Sequence, residues 1–421
     1  MKEIIKHIYT IVWNQRRTNA WLCIELSIIT VCLWYVVDFT GIFWWNGIQP
    51  MGMNVQHTYQ VNLEEKTEGS VGYIEPQEKS TTAGEDILQI VERIRQQPSI
   101  ESVSLSVKSQ PYISLMQGGY NQLYYEDSPG LWARHFRVTP SFFDVFQVHS
   151  ETGSIDQLKE ALTRQSVIIT PDVVEKVIGN EQAVGRSIQI SQEGQPVQIG
   201  AISVPLRPTD YQKMFPSFFT LLTEQEIVNE MSAGDLMNLE ICIRVKPDAD
   251  KDYKETFITE MAPHLSVGNL FLVDIRSTYI YRERMIGYEK ALLVVRALLL
   301  GFLLINIFLG ISGTFSFRTR QRRNELGLRI AVGSSRRNLY YLLMLEGIIL
   351  LSLAVVPALF INLNIGLTEL VNVYWVDFSL LRYIGGMVAT YVLMCLMIIS
   401  GIWYPAYTTM KLEPAEALRY E

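Results

Sequence analysis

The sequence predicts a membrane α-helical protein with four spans in a 1 + 3 layout and a large α+β domain projecting from one side. Three observations carry that prediction. Apolar segments at 20–45, 291–317, 338–365 and 383–404 are each long enough to cross a bilayer, which takes about 20 apolar residues in helical form. Between the first and second lies a polar block, 46–290, with 21 Lys+Arg against 33 Asp+Glu, a net −12. The short stretches expected on the other side, 1–19, 318–337 and 406–421, hold 13 Lys+Arg against 5 Asp+Glu, a net +8. Short cationic loops stay in the cytoplasm. Both termini and the 318–337 loop are therefore expected inside, and the 46–290 domain outside.

The bulk figures, 48% hydrophobic and a net charge of −7, average two populations and describe neither. Residues 1–19 precede the first span. Within them Ile4, Ile5, Ile8, Ile11 and Val12 share a helical face, which suits a helix lying in the membrane surface or one packed on a neighbour. The first apolar run ends in Phe43-Trp44-Trp45, an aromatic interface belt and not a small-residue cleavage site, so it reads as a retained anchor. Cys23, Cys32 and Cys395 fall in apolar spans, which leaves Cys242 alone in the outer domain without an internal disulfide partner. That domain must hold together by its core, and its size allows this.

The outer domain begins and ends on similar patterns. Residues 53–63 read as a strand, 85–97 as a helix and 100–107 as a strand; 239–245, 251–264 and 269–275 repeat the order. Two β-α-β units parted by a long insert predict a split, ferredoxin-like sheet, here a porter-like subdomain of 50–107 and 236–275. The insert, 108–235, carries short β-like runs at 166–170, 187–190 and 196–204 between turn signals, and reads as a mostly β subdomain. Residues 276–290 are polar, helix-compatible and run without a breaker into the span at 291–317, as a stalk would. A cytoplasmic loop at 318–337, a short outer loop at 366–382 and a tail at 405–421 complete the layout.

Catalytic signals are scarce. The sequence contains no G-x-x-x-x-G-K-[ST], H-E-x-x-H, C-x-x-C or G-x-S-x-G, and its five histidines (His7, His57, His135, His149, His264) lack metal-ligand spacing. No enzymatic activity, cofactor or metal is expected of this chain, and no nucleic-acid partner. Glu25, Asp38, Arg296 and Glu346 fall within the apolar spans. Such groups are costly unless they pair, line a wet path or reach the headgroups. Asn306, Gly310 and Gly313 form a small, polar stripe suited to close helix packing.

The inner loop holds the densest pattern. Leu326, Leu328, Ile330 and Val332 supply apolar surface, and Glu325 with Arg329 makes a favourable i,i+4 pair. Gly333 can stop a short helix, and Ser334 or Ser335 can cap the next one. The alternative is a basic loop that sets topology and touches anionic lipid.

At these residues the chain resembles the MacB/FtsX-like family of ABC transporter permeases, the type VII or mechanotransmission group. The run Arg322-Arg323-Asn324-Glu325-Leu326-Gly327-Leu328-Arg329-Ile330-Ala331-Val332-Gly333-Ser334-Ser335 is similar to the family's inner-loop pattern. The terminal Pro414, Ala417, Leu418 and Arg419 are similar to its closing P-x-E-A-L-R motif, although the stretch from Pro405 to Lys411 is less basic than is usual. Residues 137–146, with 167–170 and 183–185, look like its periplasmic core domain.

The resemblance implies a coupling helix at about 322–332, with Arg322, Arg323, Glu325, Leu326, Gly327, Arg329 and Gly333 as contact and geometry residues. It implies a separate cytoplasmic ABC ATPase that binds the ATP, and a second permease copy, identical or similar. Membrane lipid and, in some assemblies, a periplasmic adaptor and an outer-membrane channel are further implied partners. The implied place is the cell inner membrane, multi-pass, with the large domain periplasmic. The implied work is efflux or extraction of a drug, peptide, lipid or lipoprotein. Regulation of cell-wall hydrolases, or a membrane-anchored sensor or scaffold, are the alternatives.

Overall fold

The computed structural model describes residues 16–75, 77–112, 118–126, 128–179, 182–230, 238–321, 328, 332–368, 370 and 376–410. The elements in chain order are α1 (Arg16–Gly47), β1 (Thr58–Glu65), α2 (Ala83–Arg95), β2 (Ile100–Val107), β3 (Tyr120–Tyr124), β4 (Leu131–Val138), α3 (Phe142–Val145), α4 (Ile155–Thr163), β5 (Val167–Ile169), β6 (Ser187–Ile190), β7 (Pro196–Ile202), β8 (Ser217–Leu221), α5 (Glu224–Glu230), β9 (Leu239–Val245), α6 (Tyr253–Met261), β10 (Leu270–Ser277), α7 (Thr278–Gln321), α8 (Arg336–Leu367) and α9 (Leu380–Met410). They fall into two compact units, one of residues 1–48 with 290–421 and one of residues 49–289.

In the second unit, the head, β10, β1, β9 and β2 lie side by side, each antiparallel to its neighbour. Each β-α-β unit therefore has a strand of the other between its own two. The helices form for local reasons. Thr82 and Glu85 close a reciprocal capping box at the start of α2, and Ile87, Ile90, Val91 and Ile94 recur at helical spacing on its buried face. Tyr253, Phe257 and Met261 do the same for α6. These faces pack with Val103, Leu105, Ile241 and Ile243 of the strands in one apolar core.

The sheet does not end at β2, and this corrects the expectation of a self-contained ferredoxin-like sheet beside a separate β subdomain. One edge of β4 is shared: Leu131–Arg134 pairs β3, and Arg137 and Val138 pair the end of β2. Its other edge pairs β8 in parallel. The strands β4-β3-β6-β7-β5-β8 thereby return on themselves as a barrel, within a ten-stranded sheet. The cause is aromatic packing. Phe136, Phe142, Phe143, Phe146 and Phe219 are all at most 1% exposed and fill one core around β4, β8 and α3. Leu123, Ile169, Ile188, Ile199 and Phe218 fill the other side of the barrel.

Among the described residues, four helices are long and apolar enough to cross a membrane: Asn19–Gly47, Thr278–Gln321, Arg337–Leu367 and Leu380–Trp403. Leu26, Leu33, Trp34, Leu350, Leu351, Ala354, Met394 and Ile398 form the core between α1, α8 and α9. Ser27 Oγ reaches the Ala354 carbonyl at 2.6 Å and Tyr383 Oη the Leu359 carbonyl at 2.7 Å. Gly386 leaves room for the Trp34 indole, since a Cβ there would lie 2.9 Å from its Nε1. By contrast α7 exposes Val294, Val295, Leu298, Phe302, Ile305 and Leu309, the surface a lipid-facing helix presents.

Candidate functional site

Of the predicted coupling residues, Gly333 alone is described; Arg322, Arg323, Glu325, Leu326, Gly327 and Arg329 lie outside the described residues, as do Pro414, Ala417, Leu418 and Arg419 and the amphipathic stretch 2–15. What surrounds them is informative. The Val332 amide donates to the Leu328 carbonyl at 3.0 Å, a helical i→i−4 bond. Gly333 follows at φ +101°, a backbone only glycine takes freely, and the chain turns there. Ser335 then caps α8, its Oγ accepting from the Asn338 amide at 3.2 Å. Leu328 and Val332 are 56% and 81% exposed.

Of the ionisable residues expected within the spans, Asp38 and Arg296 find partners. Arg382 holds both oxygens of Asp38, Nε at 2.8 Å and Nη2 at 2.5 Å. Arg296 lays its guanidinium on Phe39, 3.4 Å from the ring centroid, and donates to Tyr35 Oη at 3.2 Å. Arg382 was expected in the outer loop 366–382; instead it stands in the first turn of α9. Glu25 is exposed beside Gly310, whose built Cβ would lie 3.4 Å from its Oε1, and Glu346 is buried.

The head carries a second polar centre, at its two chain ends, which no sequence motif marks. The loop 205–215 supplies Arg207, Thr209, Asp210 and Gln212, and the first three turns of α7 supply Arg282, Ile286 and Glu289 on one face. Arg282 donates to Asp210 through Nη2 at 2.6 Å and Nε at 3.2 Å, and Tyr112 Oη donates to the same carboxylate at 3.0 Å. Glu289 accepts from Thr209 Oγ1 at 2.9 Å and Gln212 Nε2 at 2.9 Å. Between them Ile286 is 1% exposed, in the aromatic core.

The same loop grips the other chain end. Arg207 donates to the Gln49 carbonyl at 3.1 Å and to those of Asp210 and Gln212 at 2.8 and 2.9 Å. Further along, Arg244 donates to the Asn54 carbonyl at 2.7 Å, Gln56 at 3.0 Å and Val145 at 2.6 Å. Burial lowers the pKa of both arginines, and burial followed by Asp210 raises that of Tyr112. Gly52, at φ +81°, lets segment 50–54 lie against the loop, because a Cβ there would come within 2.2 Å of the Pro205 carbonyl. The arrangement is a clamp: one loop holds the residues just after the first span and those just before the second. The signal that could have found it is the spacing Arg282, Ile286, Glu289, a single face of a helix.

Among the described residues, no group of three or more His, Cys, Asp and Glu is placed to hold a metal ion. Cys242, the thiol of the head, is buried, and burial pushes its pKa up.

Residues 51–256 match the family described as MacB-like periplasmic core domain. The chain is 24% identical over 294 residues to the macrolide export ATP-binding/permease protein MacB 1/2 of Paracoccus denitrificans (strain Pd 1222), spanning 67% of this chain and 41% of the relative. Among solved structures it is similar to the periplasmic region of MacB from Actinobacillus actinomycetemcomitans, at 11% identity and TM-score 0.33, over 57% of this chain and 97% of that one. It is also similar to the extracellular domain of the noncanonic ABC-type transporter YknZ from Gram-positive bacteria, at 13% identity and TM-score 0.30, over 51% and 100%. The resemblance read from the motifs agrees with these matches: the chain is similar to MacB-like ABC transporter permeases, residues 51–256 match a MacB-like periplasmic core domain, and the chain spans less than half the length of that relative.

Proposed function

We propose that this MacB-like chain passes the motion of a cytoplasmic ABC ATPase to its periplasmic head, and so drives efflux or extraction of a drug, peptide, lipid or lipoprotein. The observation that carries the reading is α7. Thr278–Gln321 is one helix, about 65 Å long at 1.5 Å per residue, with the clamp residues in its first turns and the basic loop at its end. A helix held by side chains at one end and attached to a loop at the other can act as a lever. The ATPase engages the short helix ending at Gly333 through Glu325, Arg329 and the exposed Leu328 and Val332. The loop 318–337 and both termini are cytoplasmic, as the charge bias suggests, and the protein sits in the inner membrane. A second permease copy completes the pair of ATPase sites, and a periplasmic adaptor with an outer-membrane channel would carry cargo onward. ATP is bound by the partner; in this reading the chain itself performs no chemistry.

The test is purification of the full-length chain from native membranes. A soluble ATPase should co-purify with it and be lost on Glu325→Lys, while the thermal unfolding of the chain stays unchanged. Retention of the ATPase by Glu325→Lys would place the engagement elsewhere, and absence of any ATPase from the wild-type complex would sink the reading.

A further inference from the structure

A cleft of about 420 Å3 opens in the head beside the clamp, within the roughly 300–1,000 Å3 of small-molecule sites. Met51 and Met53 line it from the segment that follows α1, Val204 and Pro205 from the start of the clamp loop, and Met214 from the end of that loop. His149 and the amide pair Asn54–Gln147 stand among them. We infer that this cleft binds an uncharged, largely apolar small molecule carrying a single hydrogen-bonding group.

Four observations lead there. Among the described residues no Asp, Glu, Lys or Arg lines the cleft, so a charged occupant would lose hydration there without a counter-charge. Three of its walls are methionines, whose unbranched, polarisable side chains adapt to occupants of different shape. The polar groups present are oriented by hydrogen bonds. His149 Nδ1 lies 3.2 Å from the Gly153 carbonyl, to which it donates, and this turns the Nε2 edge of the ring away from that bond. Gln147 accepts from Asn54 through Oε1 at 2.7 Å, which leaves its amide N–H groups as donors. Finally, Gln147 is held at φ +49°, a left-handed backbone that is strained for a non-glycine residue and collects at binding sites.

The position of the cleft adds a consequence. Its walls are the segment that Arg207 and Arg244 grip and the loop that α7 grips through Asp210 and Glu289. Any shift of that loop changes the width of the cleft, so occupancy and lever position are linked. Naming the occupant as cargo rests on the permease reading; the binding itself does not.

The experiment uses the full-length chain in lipid nanodiscs and an uncharged adamantyl diazirine as the probe, with labelled peptides mapped by mass spectrometry. Labelling of peptides holding residues 50–54, 204–205 and 214 should saturate with probe concentration. Met214→Trp, at a position 41% exposed and therefore tolerant, should fill the cleft and cut that labelling about tenfold. Labelling of α8 and α9 by partition into lipid should stay constant as an internal reference. A trimethylammonium version of the probe should label the cleft at least about tenfold less. Cleft labelling that is absent, non-saturating, indifferent to Met214→Trp or equal for the charged probe overturns the inference. ATPase co-purification separates the two readings: an unlabelled cleft in a chain that retains its ATPase defeats this inference alone, and a labelled cleft without an ATPase defeats the permease reading alone.

Discussion

Asp38 and Asp210 are each held by two nitrogens of one arginine, Arg382 in the first case and Arg282 in the second. The chemistry is the same and the surroundings differ. In the helical unit the side chains of Asp38 and Arg382 are 2% and 12% exposed. In the head those of Asp210 and Arg282 are 15% and 28% exposed, and a third donor, Tyr112, shares the carboxylate. A dry pair is all or nothing, because a lone charge left behind has no water to turn to. A partly wet, shared pair can weaken, lengthen and re-form. The first fixes where α9 starts against α1; the second suits a joint that is loaded and released.

Substitutions can break or sharpen this contrast, and they fall in a clear order. Asp38→Ala should cost about 3–5 kcal/mol by stranding Arg382, read as thermal unfolding in detergent, and Asp38→Asn with Arg382→Gln should regain most of the loss. Arg282→Met should cost less, about 1.5–3 kcal/mol, the value of hydrogen bonds to a charged group; equal losses for the two would erase the distinction between a dry pair and a wet one. Gly52→Ala should cost about 1–3 kcal/mol through strain at φ +81° and should loosen the clamp, seen as faster amide exchange over 49–56 with little change in α8.

The smallest effect is a pH response confined to the barrel. His135, stacked 4.4 Å from Phe218 and bonded to Thr220, is pushed down to about 4, first by burial and then by Arg137. An unfolded histidine titrates near 6.5, so between these values the unfolded chain holds the extra proton. Stability of the head should be level above about pH 6.5 and should fall as pH drops from there toward 4. His135→Gln should flatten that slope. An unchanged slope would mean that the imidazole is wetter than its packing indicates.

Local order was legible, and closure was not. The strands expected at 100–107 and 239–245 coincide with β2 and β9, and the helix expected at 85–97 overlaps α2, since such patterns are readable within a dozen residues; the capping box at Thr82 that starts α2 two residues earlier went unread. The barrel depends on β4 meeting β8 in parallel, Arg134 opposite Ser217, a pairing between distant segments that leaves no local trace. The clamp and the Asp38–Arg382 pair escaped for the same reason, since their partners lie 72 to 344 residues apart. The cationic loop was legible as a motif because its residues are consecutive in the chain.

The central claim, that motion at the inner loop reaches the clamp through α7, is tested most directly by hydrogen–deuterium exchange on the reconstituted chain and its ATPase, with and without ATP and vanadate. Trapping the ATPase closed should change exchange both at 318–337 and at 205–215 with 282–289. A change confined to 318–337, with the clamp segments exchanging identically in both states, would contradict the account.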